Sequence, residues 1–450
     1  MKRRTFLQTT GLALGAMSLP AIGMKRVTGA LDGVDVDELP LLIVCEFQGG
    51  WDNLLGLDPR DPTLFTDNNA LETGIQPAYD RLTPGFSQLP INAGPFVFGP
   101  CIGELAQMTD HFSVIRGINM GTLTHEVGMR YFITGRPPSG LKARGDSVAA
   151  VATGQLGDHW PVPNLTHLVE SYAQGQPAFA TAMPVAAVGH LQYVLRKTLG
   201  IPTGIRPSVE EAVAAYFAKE SACANHLGVG GTSLAAAYRV NRLKALELAS
   251  SKLYQQFEFA SPALAAVREH YGFTAGTMES PVGRAALASQ ALKTGLSRVV
   301  SVRLSTDLDT HDNSWSFDHP TRLQSGFTAL ARLIADLRDT EAPGGGSYLS
   351  RTTIIAYSEF GRTAMLNARG GRDHNLSNCA LVAGAGINPG LVIGASSDKG
   401  LAPELIDLQT GKASEVGKSL KPEHVMTTVL KAAGLDASAL MSEPIEALLA

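Results

Sequence analysis

The sequence predicts an α/β protein with a doubly wound, largely parallel sheet and an inserted helical layer. Three observations point there. Short continuous apolar runs such as "LPLLIVCEF" (39–47) have the pattern of strands covered on both faces. Amphipathic helical stretches separate several of them, as strand–helix alternation requires. Most of the runs then open into a polar loop rich in Gly, Asp, His and Thr, the place where such sheets carry their sites.

Taken in order, the first strand ends in "QGGWDN", where Gly49 and Gly50 permit a tight turn. "FSVIRGI" (112–118) leads to "NMGTLTHEVG", and "SRVVSVRLS" (297–305) leads to "TDLDTHDN". "RTTIIAYSEF" (351–360) leads to "GRTAMLNARGGRDHN". "NCALVAGAG" (378–386) and "GLVIGAS" (390–396) read as further strands. "TRLQSGFTALARLIADLRDT" (321–340) repeats apolar residues at three and four, the helical period. "PEHVMTTVLKAAGLD" places Pro422 at a helix start and Gly434 at its end. Residues from about 207 to 296 read as the helical insertion, within one domain spanning 31–450.

Composition removes several functional classes. With 44% hydrophobic and 17% charged residues, the chain is a folded globular protein. A net charge of −4 offers no basic field for nucleic acid. The four cysteines form no CxxC pair, so neither a zinc-thiolate site nor a thioredoxin-type motif is expected. Residues 1–30, beginning "MKRRTFLQTTGLALGAMSLP", carry Arg3-Arg4, then Phe6-Leu7 and a mildly apolar stretch. That is the pattern of a twin-arginine export signal, read by the export machinery. It predicts a periplasmic protein with no stable membrane span after cleavage.

The strand-end loops hold Asp52; Thr122, Thr124 and His125; Asp307, Asp309 and His311; and Glu359, Asp373 and His374. A lone Asp after a strand is commonly a turn or cap residue. Four such loops on one sheet edge instead suggest divalent metal, zinc or manganese, as one ion or a pair about 4 Å apart. Arg362 and Arg372 flank the last loop and, with Glu359, are candidates for binding an anionic ester or polymer. His319 either caps the helix after it or faces the cleft. His159, His167, His190, His226 and His270 match no ligand pattern and read as structural or exposed.

"QGGWD", "DTH", "SEFGRT" and "GRDHN", in this order behind the export signal, resemble an exported bacterial family, domain of unknown function 1501. That family is placed near the alkaline phosphatases and sulfatases. The resemblance implies an alkaline-phosphatase-like fold with Asp52 on one metal. It implies an Asp–His pair on another, either Asp307 or Asp309 with His311, and "DTH" favours Asp309. It implies Asp373-His374 as paired ligands and His424 as a final one. One departure stands out. "THEVGMRYFITGRPP" puts His125 where these enzymes place a nucleophilic Ser, so His125 is a ligand, a base or a nucleophile, and Thr122 or Thr124 could supply a hydroxyl.

Two functions follow as expectations. One is an exported metal-dependent hydrolase of a phospho- or sulfo-ester. The alternative is a non-catalytic periplasmic binding or assembly protein that keeps the fold. For export itself, replacing Arg3 and Arg4 by Lys should retain the protein in the cytoplasm on fractionation; undiminished periplasmic protein would refute the signal.

Overall fold

A computed structural model describes residues 38–196, 248 and 251–450. The export signal and much of the helical insertion lie outside the described residues. The chain forms an eight-stranded mixed sheet. Its strands are β1 (Leu41–Phe47), β2 (Phe112–Asn119), β3 (Asn164–His167), β4 (Met183–Val185), β5 (Val299–Ser305), β6 (Thr352–Tyr357), β7 (Ser377–Gly384) and β8 (Val392–Ile393). Their spatial order is β8-β2-β7-β6-β1-β5-β3-β4. All neighbours pair in parallel except β7, which runs antiparallel to both β2 and β6. The sheet is largely parallel, as the sequence predicts, with one strand reversed. An apolar run buried on both faces looks alike in either direction, so nothing in it marks the reversal.

The α-helices placed among the described residues are α1 (Ala70–Thr73), α2 (His125–Thr134), α3 (Val148–Leu156), α4 (Val188–Leu195), α5 (Ala265–Tyr271), α6 (Pro281–Lys293), α7 (Asp318–Asp339) and α8 (Pro422–Ala432). Strand β1 shows why they cover both faces. Leu41, Ile43, Cys45 and Phe47 enter one core with Leu287 of α6 and Leu330 and Ile334 of α7. Leu42 and Val44 enter the other with Phe132 of α2, Ala152 of α3 and Val429 of α8. Each such buried aliphatic side chain contributes about 1.5–3 kcal/mol. Helix α7 buries Leu323, Phe327, Leu330, Ile334 and Leu337, the stripe its spacing predicts, but begins earlier than expected at Asp318. Among the described residues no helix is long and apolar enough to cross a membrane.

Parallel pairing puts the carboxyl ends of β1, β2, β5 and β6 on one edge of the sheet. Because β7 is reversed, its first residue stands at that edge too. The loop 358–376 leaves β6, folds into a short antiparallel pair (Gly361–Arg362 with His374–Asn375) and returns as β7. His374 is delivered to the same edge without crossing the sheet.

The edge is packed tightly enough to demand glycine. At Gly49 (φ +112°) a Cβ would stand 2.5 Å from the Leu308 amide nitrogen. At Gly128, inside α2, it would stand 2.4 Å from the Glu359 carbonyl oxygen. Gly→Ala in a helix interior ordinarily stabilises by about 1 kcal/mol. Gly128→Ala should instead destabilise, by about 1–3 kcal/mol, because the contact is with backbone. The readout is a lower urea midpoint at unchanged slope; a higher midpoint would show that α2 is free to shift.

Candidate metal centre

Three loops converge on one carboxylate oxygen, Asp309 Oδ1. His311 Nε2 lies 2.9 Å from it, His374 Nε2 3.1 Å and His125 Nε2 3.2 Å. His311 Nε2 and His374 Nε2 are themselves 3.0 Å apart. His125 is the first residue of α2, Asp309 and His311 follow β5, and His374 precedes β7.

The other nitrogen of each ring fixes what these atoms are. His374 Nδ1 lies 2.6 Å from the Leu123 carbonyl, which only accepts, so Nδ1 carries the proton. His311 Nδ1 donates to Asp373 Oδ1 at 2.7 Å. His125 Nδ1 donates to Glu359 Oε1 at 2.7 Å. In neutral rings every Nε2 is then a lone pair aimed at an anionic oxygen. His125 Nε2 is shielded from solvent and makes no aligned hydrogen bond. Lone pairs and a carboxylate do not gather at about 3 Å unless protons or a cation sit between them.

Protons are the metal-free answer. Burial pulls His125 down, but its contacts with Asp309 and Glu359 outweigh that and push it up to about 9. Burial would raise Asp309, yet bonds from His125, His374 and Arg362 hold its carboxylate well below the usual range. A metal ion is the other answer. Donors on a tetrahedral ion with bonds of about 2 Å stand about 3.3 Å apart, close to the spacing found here. Ring nitrogens anchored through Nδ1 to carboxylate or carbonyl are the usual outer support of such ligands.

Glu359 is fully buried, and it also accepts from the Gly49 amide (2.8 Å) and Ser358 Oγ (2.9 Å). Asp373 is steadied by Asn367 Nδ2 at 3.0 Å. Its pKa is lowered, first by the His311 bond. Asp309 stays 41% exposed on its side chain. All the contacts above fall on Oδ1, which leaves Oδ2 toward solvent.

Other expected residues lie elsewhere. Asp52 is 1% exposed and spends its carboxylate locally. Oδ1 accepts from the Leu54 and Leu55 amides, and Oδ2 takes Trp315 Nε1 at 2.8 Å and an ion pair with Arg372 Nε at 2.9 Å. It is a loop anchor without spare acceptors, not part of the histidine cluster. Neither arginine is open to a substrate. Arg362 and Arg372 are both fully buried. Arg362 gives all five N–H groups to Gly49 O, Gly50 O, Arg372 O, Asp309 Oδ1 and, at 3.4 Å, His311 Nε2. Arg372 serves Asp52 and the carbonyls of Thr363, Gln76 and Pro77 while stacking on Trp315.

Asp307 adopts a left-handed turn (φ +58°) and accepts from Thr306 Oγ1. His424 Nδ1 accepts the Lys421 amide in the first turn of α8 and lines a separate cleft with Arg136 and Arg144. Thr124 precedes α2 without capping it by its side chain, and Thr122 Oγ1 accepts the Thr124 amide. His319 is fully buried; Nε2 accepts the Asp52 amide and Nδ1 faces Thr310 Oγ1. Asn367, the Leu123 carbonyl and Arg369 (65% exposed, 3.9 Å from Asp373) were not anticipated. Backbone acceptors have no sequence signature; only the position of Asn367 between two motifs could have drawn attention to it.

Removing one partner of the buried Asp52–Arg372 pair should be costly. Arg372→Met should destabilise by about 3–5 kcal/mol. Adding Asp52→Asn should recover much of that, and Asp52→Asn alone should leave metal content unchanged in elemental analysis. Loss of metal on Asp52→Asn would make Asp52 a ligand after all.

Comparison with known proteins gives one positive result. The sequence model described as "Protein of unknown function (DUF1501)" matches residues 42–447. No curated protein matches the chain. The match spans all eight strands of the sheet and every loop of the histidine cluster, and on that extent the chain belongs to the DUF1501 family.

Proposed function

We propose that this protein is an exported metal-dependent hydrolase of alkaline-phosphatase-like architecture, acting on a phospho- or sulfo-ester. It holds a divalent ion of the zinc or manganese class on His125, Asp309 and His374, whose ligand atoms all lie within 4.8 Å of one another, with His311 packed against Asp309 beside them. The observation that carries the reading is the set of three Nε2 atoms within 2.9–3.2 Å of Asp309 Oδ1, each ring pinned through Nδ1. Mixed imidazole and carboxylate donors suit such an ion. A bound ion would supply Lewis acidity and bring a coordinated water toward deprotonation near neutral pH.

The chain's own groups have separate tasks. Glu359 orients His125 and keeps Nδ1 protonated. Asp373 does so for His311, and the Leu123 carbonyl for His374. Arg362 balances Asp309 without reaching into the cleft. The partial exposure of Asp309 leaves the cluster open to solvent and substrate on that side. Arg369, exposed and 3.9 Å from Asp373, has the freedom to meet an anionic ester. A structural metal site is closed to solvent, whereas a catalytic one stays accessible; the exposure of Asp309 supports catalysis over the assembly role.

Purified protein should carry about one ion per chain. His125→Ala or His374→Ala should lower metal affinity by at least tenfold. Glu359→Gln should weaken it about 10–100-fold while the fold persists. Turnover of p-nitrophenyl phosphate or sulfate should fall in parallel. Full metal retention in both histidine variants would contradict the site. Metal binding as expected but no turnover on any phospho- or sulfo-ester would leave the assembly role.

A further inference from the structure

Buried polar atoms without partners also gather on the other side of β5. His167 ends β3 and is 1% exposed, yet neither Nδ1 nor Nε2 has a hydrogen-bond partner among the described residues. The charges facing it are Arg284, Glu279 and Arg303. Those facing Arg284 are Glu279, Arg303 and Asp307. Among the described residues, Arg284 Nε is buried and unpartnered, and the side chain makes one long contact, of Nη1 with the Arg303 carbonyl at 3.4 Å. Ser280 stands at the N-cap of α6, one turn before Arg284. Its hydroxyl does not cap the helix and is likewise buried without a partner.

The nearby carboxylates are already occupied. Glu279 accepts the Val188 and Gly189 amides at the start of α4, at 2.9 and 3.0 Å. Glu46 pairs with Arg303 Nε at 2.5 Å, across the β1–β5 register. Asp307 is turned to Thr306. Two guanidiniums and an imidazole therefore face one another, with orphaned nitrogens on His167 and Arg284, and Ser280 stands one turn before Arg284 at the start of a 13-residue helix. Orphaned groups of this kind, several together and all able to donate, call for an acceptor carrying negative charge.

We propose that His167, Ser280, Arg284 and Arg303 form a second site, which binds a phosphate- or sulfate-type oxyanion. Its place at the carboxyl edge of β3 and β5 puts it on the same side of the sheet as the histidine cluster, but it shares no residue with that cluster and does not rest on metal there. Burial, then the neighbouring Arg284 charge, pulls His167 down to about 4. At neutral pH the ring is therefore uncharged and offers one N–H to the anion, while the arginines supply the charge.

Calorimetric titration of the full chain tests this, with inorganic phosphate as one probe and glycerol phosphate as the other. Wild type should bind one equivalent. Arg284→Met should weaken binding by about tenfold or more, the usual loss for a charge-assisted bond. Ser280→Ala, which deletes only a hydroxyl and should fold normally, should weaken it about threefold or more. His374→Ala should remove any phosphate held at the metal centre and leave the equivalent bound here, which separates the two sites. Tighter binding of inorganic phosphate marks a site for the free ion; tighter binding of the ester marks one for a remote group of an organic phosphate. Absence of binding to wild type, or equal binding by the wild type, Arg284→Met and Ser280→Ala proteins, would overturn the proposal.

Discussion

The buried guanidinium of Arg362 is the interaction on which the rest of the edge depends. It ties the Gly49 and Gly50 carbonyls after β1, the Arg372 carbonyl before β7, and Asp309 after β5. Its own strand continuation follows β6, so one side chain joins loops from four strands. A buried charge is tolerated only when its donors are matched, and here each N–H has an acceptor. The planar fork explains why arginine, not lysine, stands there. Fixing Asp309 in this way fixes the point toward which His125, His311 and His374 turn.

The same constraint separates two kinds of polar residue that a sequence lists together. Asp309 and Asp52 both follow strands. Asp52 is sealed behind Arg372 and Trp315, and its task is to hold the turn after β1. Asp309 is held on one oxygen and open on the other. Glu359 lies between these cases: fully buried, yet in direct contact with a ligand-type histidine through His125 Nδ1. Layers of this kind let a loop-built site keep its geometry, because each ring is braced from behind by a group with no other freedom.

Much of this was legible in the sequence. Continuous apolar runs ending in Gly, Asp and His loops placed β1, β2, β5 and β6 and located Asp309, His311, Asp373 and His374 at one edge. Helix α7 followed from its spacing, and His125 stood out because a nucleophile was expected there. The failures have physical causes. Asp52 and Arg372 find each other across 320 positions, and nothing local signals that a charge is spent on a distant partner. Arg362 and Arg372 look like anion binders because a flanking arginine usually is exposed; only burial reveals them as internal. The short strands β3 and β4 carry too few residues for a period, and with β3 went the chance to see His167 as anything but structural.

The central claim is that His125, Asp309 and His374 hold a metal ion. Anomalous diffraction from crystals of the protein as isolated, recorded on both sides of the zinc and manganese edges, tests it most directly. The account predicts a single anomalous peak about 2.1 Å from Nε2 of His125 and His374. A density map with no peak there, and with these nitrogens hydrogen-bonded to Asp309 through protons alone, would contradict it.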